Sequence, residues 1–184
     1  IRSLTRAGPI RRAIRIVSYN VQCLGIPYRI ERILNTVGGH VVALQGTCLR
    51  QALGPHGPVP HTHRRVVLSS RFVNAETPHS SLSGPPPPAR RRSGTEYFVV
   101  HWGYEESSHS NRHAGVSLAL RAPLFQQVFI KSIYTVPTPY QGRAGAIRYK
   151  QSGVLDMFFA VASMSPDDPA GIKFILKWIG QLIN

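Results

Sequence analysis

Three consecutive segments decide the fold class: Ile14-Arg15-Ile16-Val17-Ser18-Tyr19-Asn20-Val21, Tyr28-Arg29-Ile30-Glu31-Arg32-Ile33-Leu34-Asn35-Thr36-Val37, and His40-Val41-Val42-Ala43-Leu44-Gln45. The first is rich in β-branched residues with apolar side chains on both faces, which predicts a strand buried on both sides. The second places Ile30, Ile33, Leu34 and Val37 at offsets of three and four, a helical stripe, with Arg29, Glu31 and Arg32 facing outward. Gly38-Gly39 ends that helix, and the third segment is a short apolar run. Strand, helix, strand with apolar strands is the opening of an α/β domain, a sheet covered by helices.

Outward from this opening, Arg65 to Ser70, Glu96 to Trp102, Ala114 to Leu120, Val128 to Tyr134, Gly145 to Tyr149 and Val154 to Ala162 all read as strands. The second and third of these form a pair joined by a polar turn around Ser107 to Asn111. A closing helix carries Ile172, Ile175, Leu176, Ile179 and Ile183 at helical spacing, its start prepared by Asp167-Asp168-Pro169. Residues 1–13 form a basic N-terminal tail, and residues 14–184 the domain. Between Pro78 and Gly94 the chain reads as a surface insertion, because Pro85 to Pro88 cannot donate ladder hydrogen bonds and Arg90-Arg91-Arg92 follows.

The chain has 184 residues and 42% hydrophobic residues, enough for a core in one domain, which excludes a wholly disordered protein. Its 22 Lys and Arg against 8 Asp and Glu give +14, and nucleic acid is the candidate partner of such a surface. No apolar run is long enough for a membrane helix, so no membrane partner is expected. Two cysteines, Cys23 and Cys48, are too few for a disulfide framework and read as small buried residues of an intracellular protein. The Arg-rich N-terminus only loosely suits a transit peptide. His56, His61 and His63 lack a nearby acid or cysteine to complete a zinc site and read as a solvated loop. Trp102 reads as core or rim packing.

Arg15 to Gly25, the helix beginning Arg29-Ile30, and Val41 to Gln45 together resemble the start of the endonuclease/exonuclease/phosphatase family, the metal-dependent phosphodiesterases that include abasic-site and retrotransposon endonucleases. Later segments resemble it in the same order: His113 to Leu120 is similar to the family's Gly-Val strand, Gly142-Arg143 to its Gly-Arg pair, and Phe158 to Pro166 to the strand ending Tyr-Ala-Pro. The resemblance implies a two-sheet sandwich with outer helices and hydrolysis of a phosphate ester by activated water, with Mg²⁺ as the expected cofactor. It places Asn20 in the catalytic site, where the plainer alternative is a strand-end asparagine closing a turn. Arg143 and Arg112 are the candidate nucleic-acid contacts.

The same resemblance marks departures. Gln45-Gly46-Thr47 stands where the family has Gln-Glu-Thr, so the glutamate metal ligand is a glycine, and no metal residue is assigned. Met164 of Met164-Ser165-Pro166 replaces the phenol of Tyr-Ala-Pro and cannot donate a hydrogen bond. The family's Gly-Asp-x-Asn and Asp-His segments would follow the closing helix, so the chain corresponds to the N-terminal portion of the fold, with the C-terminal part missing. The expectation is a family domain descended from a DNA phosphodiesterase, nuclear if retroelement-derived, and inactive or impaired. The alternatives are a non-catalytic basic nucleic-acid-binding module or a retroelement remnant.

Overall fold

The computed structural model describes residues 13–22, 24, 29–55, 57–68, 95–104, 115–153 and 155–183. Residues 1–12 of the basic tail, Cys23, His56, the insertion at 78–94, the 107–111 turn and Arg112 lie outside them.

The opening folds as its pattern dictates. β1 (Ile16–Asn20) and β2 (Val41–Gln45) run parallel, Ile16 opposite Val41 and Asn20 opposite Gln45, with α1 (Arg29–Val37) as the crossover. Ile30 and Leu34 are buried and Ile33 and Val37 pack beside them, so the helical stripe is the contact face. The Tyr97 hydroxyl donates a buried hydrogen bond to the Gly39 carbonyl, fixing the turn into β2.

A small hairpin, β3 (Ala52–Gly54) and β4 (Gly57–Val59), leads into β5 (Thr62–Leu68), β6 (Thr95–Trp102) and β7 (Val116–Ala122). The first sheet has the order β1-β2-β7-β6-β5, antiparallel from β2 onward. After a single 3-10 turn, β8 (Ile130–Thr135), β9 (Ala144–Gln151) and β10 (Leu155–Ala162) form a second antiparallel sheet in the order β10-β9-β8. The closing helix is α2 (Pro169–Ile183). Asp168 caps it: its Oδ1 accepts the Gly171 N–H at 2.8 Å and its carbonyl accepts the Ile172 N–H, with Pro169 as the first helical residue.

Three apolar clusters hold these elements together. One lies between the sheets and joins Val41 and Ala43 of β2 with Val100 and Trp102 of β6, Leu118 of β7, Ile147 of β9 and Val161 of β10. A second lies between α1 and the other face of the first sheet, built on Val42, Leu44, Tyr97 and Val99. The third fixes α2 through Ile175 against Val136 and Ala144. The order of layers is therefore α1, five-stranded sheet, three-stranded sheet, α2, an α/β architecture. No helix among the described residues is long and apolar enough to cross a membrane.

Two expectations are corrected here. β1 is not buried on both sides: Ile16 is 64% exposed and Tyr19 47%. β10 lies against β7 and β2, so the narrower second sheet does not reach the face of β1 that carries Ile16, Ser18 and Asn20. His63 does not sit in a solvated loop, because β5 begins at Thr62 and His63 packs its ring on Phe98 at 5.5 Å between centroids, while His61 immediately precedes the strand and is half-buried.

Candidate functional site

The sheet order brings the carboxyl ends of β1, β2, β6 and β10 and the amino ends of β7 and β9 to one end of the sandwich. Asn20, Gly46, Gly115, Arg143 and Met164, separated by up to 144 positions in sequence, are thus gathered by topology rather than by local sequence.

Backbone hydrogen bonds stitch the loops at this end. The Leu24 N–H donates to the Thr47 carbonyl at 2.8 Å, Thr47 N–H to Gly115 at 2.9 Å, Gly115 N–H to Gly142 at 2.8 Å, and Ser163 N–H to Arg143 at 2.7 Å. Two glycines make this approach feasible. A Cβ on Gly115 (φ +95°) would lie 2.5 Å from Thr47 Oγ1, and one on Gly142 (φ +76°) 2.6 Å from the Gly103 carbonyl oxygen. Both positions also have a backbone conformation that disfavours L side chains.

Asn20 ends β1 exposed, and its Oδ1 accepts the Gln22 N–H at 3.2 Å. It therefore closes a turn at the same time as it stands at the sandwich end. Beside it, Gln45 donates through Nε2 to Ser18 Oγ at 2.8 Å. Gly46 follows with φ +62°, and the Cys48 thiol points at its carbonyl at 3.6 Å. Thr47 is fully buried and its hydroxyl oxygen has no hydrogen-bond partner among the described residues.

Arg143 is 8% exposed, and its guanidinium works inside the protein. Nη1 pairs with Asp168 Oδ2 at 2.5 Å, Nε reaches the Ser163 carbonyl at 3.4 Å, and the group sits 5.6 Å from the Tyr140 ring centroid. The Gly171 N–H, and then Arg143, hold the Asp168 carboxyl below its usual range. Met164 is half-exposed just beyond β10.

One polar pair at this end has no sequence signature. His101 Nδ1 lies 2.6 Å from Ser117 Oγ, both residues buried and directly opposite one another across β6 and β7. Burial, and secondarily the charge of Arg64, pushes the His101 pKa down to about 4, so the imidazole is neutral at pH 7. Only the cross-strand register reveals the pair. The spacing of 16 residues carries no hint of it.

The groups at this end do not fit a hard divalent cation. Such an ion takes several oxygen ligands, predominantly carboxylates. Gly46 supplies none, Asn20 and Gln45 are neutral, and Asp168 is committed to Arg143 and Gly171. No group of three or more His, Cys, Asp or Glu suited to a metal occurs among the described residues. His61 and His63 stand near each other, and burial followed by the His63 charge lowers the pKa of His61.

No family model, no curated protein and no solved structure matches the chain.

Proposed function

We propose that the chain is a degenerate endonuclease/exonuclease/phosphatase domain, descended from a Mg²⁺-dependent phosphodiesterase acting on DNA, and that it no longer hydrolyses phosphodiesters. The observation that carries this reading is the gathering of Asn20, Gln45-Gly46-Thr47, Gly115, Gly142-Arg143 and Ser163-Met164 at one end of a two-sheet sandwich, although no local sequence feature requires it. Inactivity follows from the chemistry of the same positions. A phosphoryl transition state accumulates negative charge that a metal or fixed donors must neutralise. Here the glutamate position is Gly46, the phenol position is Met164, and Arg143 is already paired with Asp168.

The deciding experiment is nicking of supercoiled plasmid by the purified chain with Mg²⁺ or Mn²⁺. No cleavage above a metal-free control is expected. Metal-dependent cleavage abolished by Asn20→Ala would overturn the inactivity.

A second reading, a non-catalytic nucleic-acid-binding module, is favoured by Arg15, Arg64 and Arg121, none of which has a carboxylate partner among the described residues. Phosphate contacts release counterions, so duplex DNA binding by such a surface falls steeply with salt. Affinity unchanged between low and physiological ionic strength would count against it.

A further inference from the structure

We infer that a cavity at the opposite end of the sandwich from Asn20 binds a small organic anion with a flat apolar body. The cavity opens where the chain crosses from β7 to the second sheet through residues 123–129, and its volume is about 540 Å³, within the range of small-molecule sites. His40, Arg121, Leu124, Gln126, Phe129 and Tyr149 are among its lining residues.

Two independent features set the ligand chemistry. The first is the aromatic wall. Tyr149 is almost fully buried and meets Phe129 edge-on at 6.0 Å between centroids, and its hydroxyl accepts the Gln126 N–H at 3.4 Å. A flat apolar body packs against the part-exposed Phe129 ring, which the buried Tyr149 backs. The second is uncompensated positive charge. No Asp or Glu is among the described residues that line the cavity. Among the described residues the Arg121 guanidinium makes one long hydrogen bond, 3.4 Å to Thr95 Oγ1, and has no carboxylate partner. Arg15 stands at the same end, likewise without a carboxylate partner, and its backbone N–H donates to His40 Nδ1 at 2.8 Å. That bond leaves the imidazole proton on Nε2, a donor. Arg121 and Arg15 both act electrostatically on the neighbouring Tyr97 hydroxyl, opposing the upward push of its burial. A carboxylate, sulfonate or phosphate head group is the natural complement of this charge.

The test is calorimetric titration of the full chain, in EDTA, with naphthalene-1-sulfonate and with 1-naphthol, which has the same ring without the strongly acidic head group. The sulfonate is expected to bind saturably at one site, at least tenfold more tightly than 1-naphthol. Arg121→Gln is expected to weaken the sulfonate at least tenfold. Leu124→Glu places a like charge at the cavity from an exposed position, and is expected to do the same without disturbing the core; it decides the matter if Arg121→Gln fails to fold. Absence of saturable binding, equal affinity for the two probes, or sulfonate affinity unchanged in Leu124→Glu would overturn the inference. Because the titration involves neither metal nor hydrolysis, its outcome is independent of the proposed phosphodiesterase ancestry.

Discussion

The backbone of Gly145 lies flat against the indole of Trp102: a Cβ at Gly145 would fall 2.1 Å from both Cδ2 and Cε2 of the ring. Trp102 ends β6 in the first sheet and Gly145 is the second residue of β9 in the second, so this contact sets the separation of the sheets at the end where Asn20 and Arg143 lie. Trp102 is fully buried.

Gly145→Ala is therefore expected to destabilise the fold by about 3 kcal/mol, the upper part of the range for an overpacked core. Urea denaturation at neutral pH measures it. A change below about 0.5 kcal/mol, the scale of ordinary surface substitutions, would show that the sheets separate freely there.

His101 gives a defined acid sensitivity. Its folded pKa of about 4 lies below the ordinary 6.5, so between these values the unfolded chain binds the proton and the folded one does not. The contribution to stability is intact above pH 6.5 and is lost progressively as pH falls toward 4, reaching on the order of 3 kcal/mol. Urea midpoints from pH 7 to pH 4.5 read this loss. His101→Leu should flatten the slope in that window, and an unchanged slope would assign the acid sensitivity to other groups.

Asp168 has two separable roles, capping α2 and pairing with Arg143. Asp168→Asn keeps a capping oxygen and loses the charge, whereas Asp168→Ala loses both, so the alanine variant should have the lower urea midpoint. In the Arg143→Met background the difference between wild type and Asp168→Asn should shrink. Equal effects of Asn and Ala would mean that the cap contributes nothing.

Placing a carboxylate at position 46 meets an obstacle in the backbone. With φ +62°, Gly46→Glu is expected to cost about 1–2 kcal/mol from the left-handed conformation alone. It should also leave Tm unaffected by millimolar Mg²⁺, because one carboxylate does not make a hard-cation site. A clear Mg²⁺-dependent rise in Tm for this variant would mean that the remaining ligands are in place.

Ile16 can be exchanged cheaply. At 64% exposure on an edge strand, Ile16→Lys should change stability by no more than about 0.5 kcal/mol while making the edge less prone to self-association. Thermal melting and light scattering report the two effects separately.

What was legible in the sequence was local. The stripe Ile30, Ile33, Leu34, Val37 names its own buried face, and Asp167-Asp168-Pro169 announces the start of α2, because helix periodicity and capping are properties of neighbouring residues. The Arg143–Asp168 pair spans 25 positions and depends on where β10 returns, which no periodicity encodes. His101 alternates correctly with Tyr97 and Val99 as a strand residue, but its partner Ser117 is defined only by the register of β6 against β7. β1 shows the opposite failure: its composition is that of a covered strand, yet its exposure is decided by how many strands the second sheet contains. At the candidate site, the turn that Asn20 closes with Gln22 was legible as a strand-end asparagine, whereas the engagement of Arg143 with Asp168 was not.

The mismatch in width between the sheets leaves a ledge. β10 pairs with β9 over eight unbroken residues, and no other strand pairs with its free edge among the described residues. β1 and part of β2 project beneath that edge. If two copies joined their β10 edges about a two-fold axis, these projecting strands would be driven into one another, since strands lie only about 4.8 Å apart. The overhanging strand thus acts as a steric fender against sheet-to-sheet fusion of copies along β10.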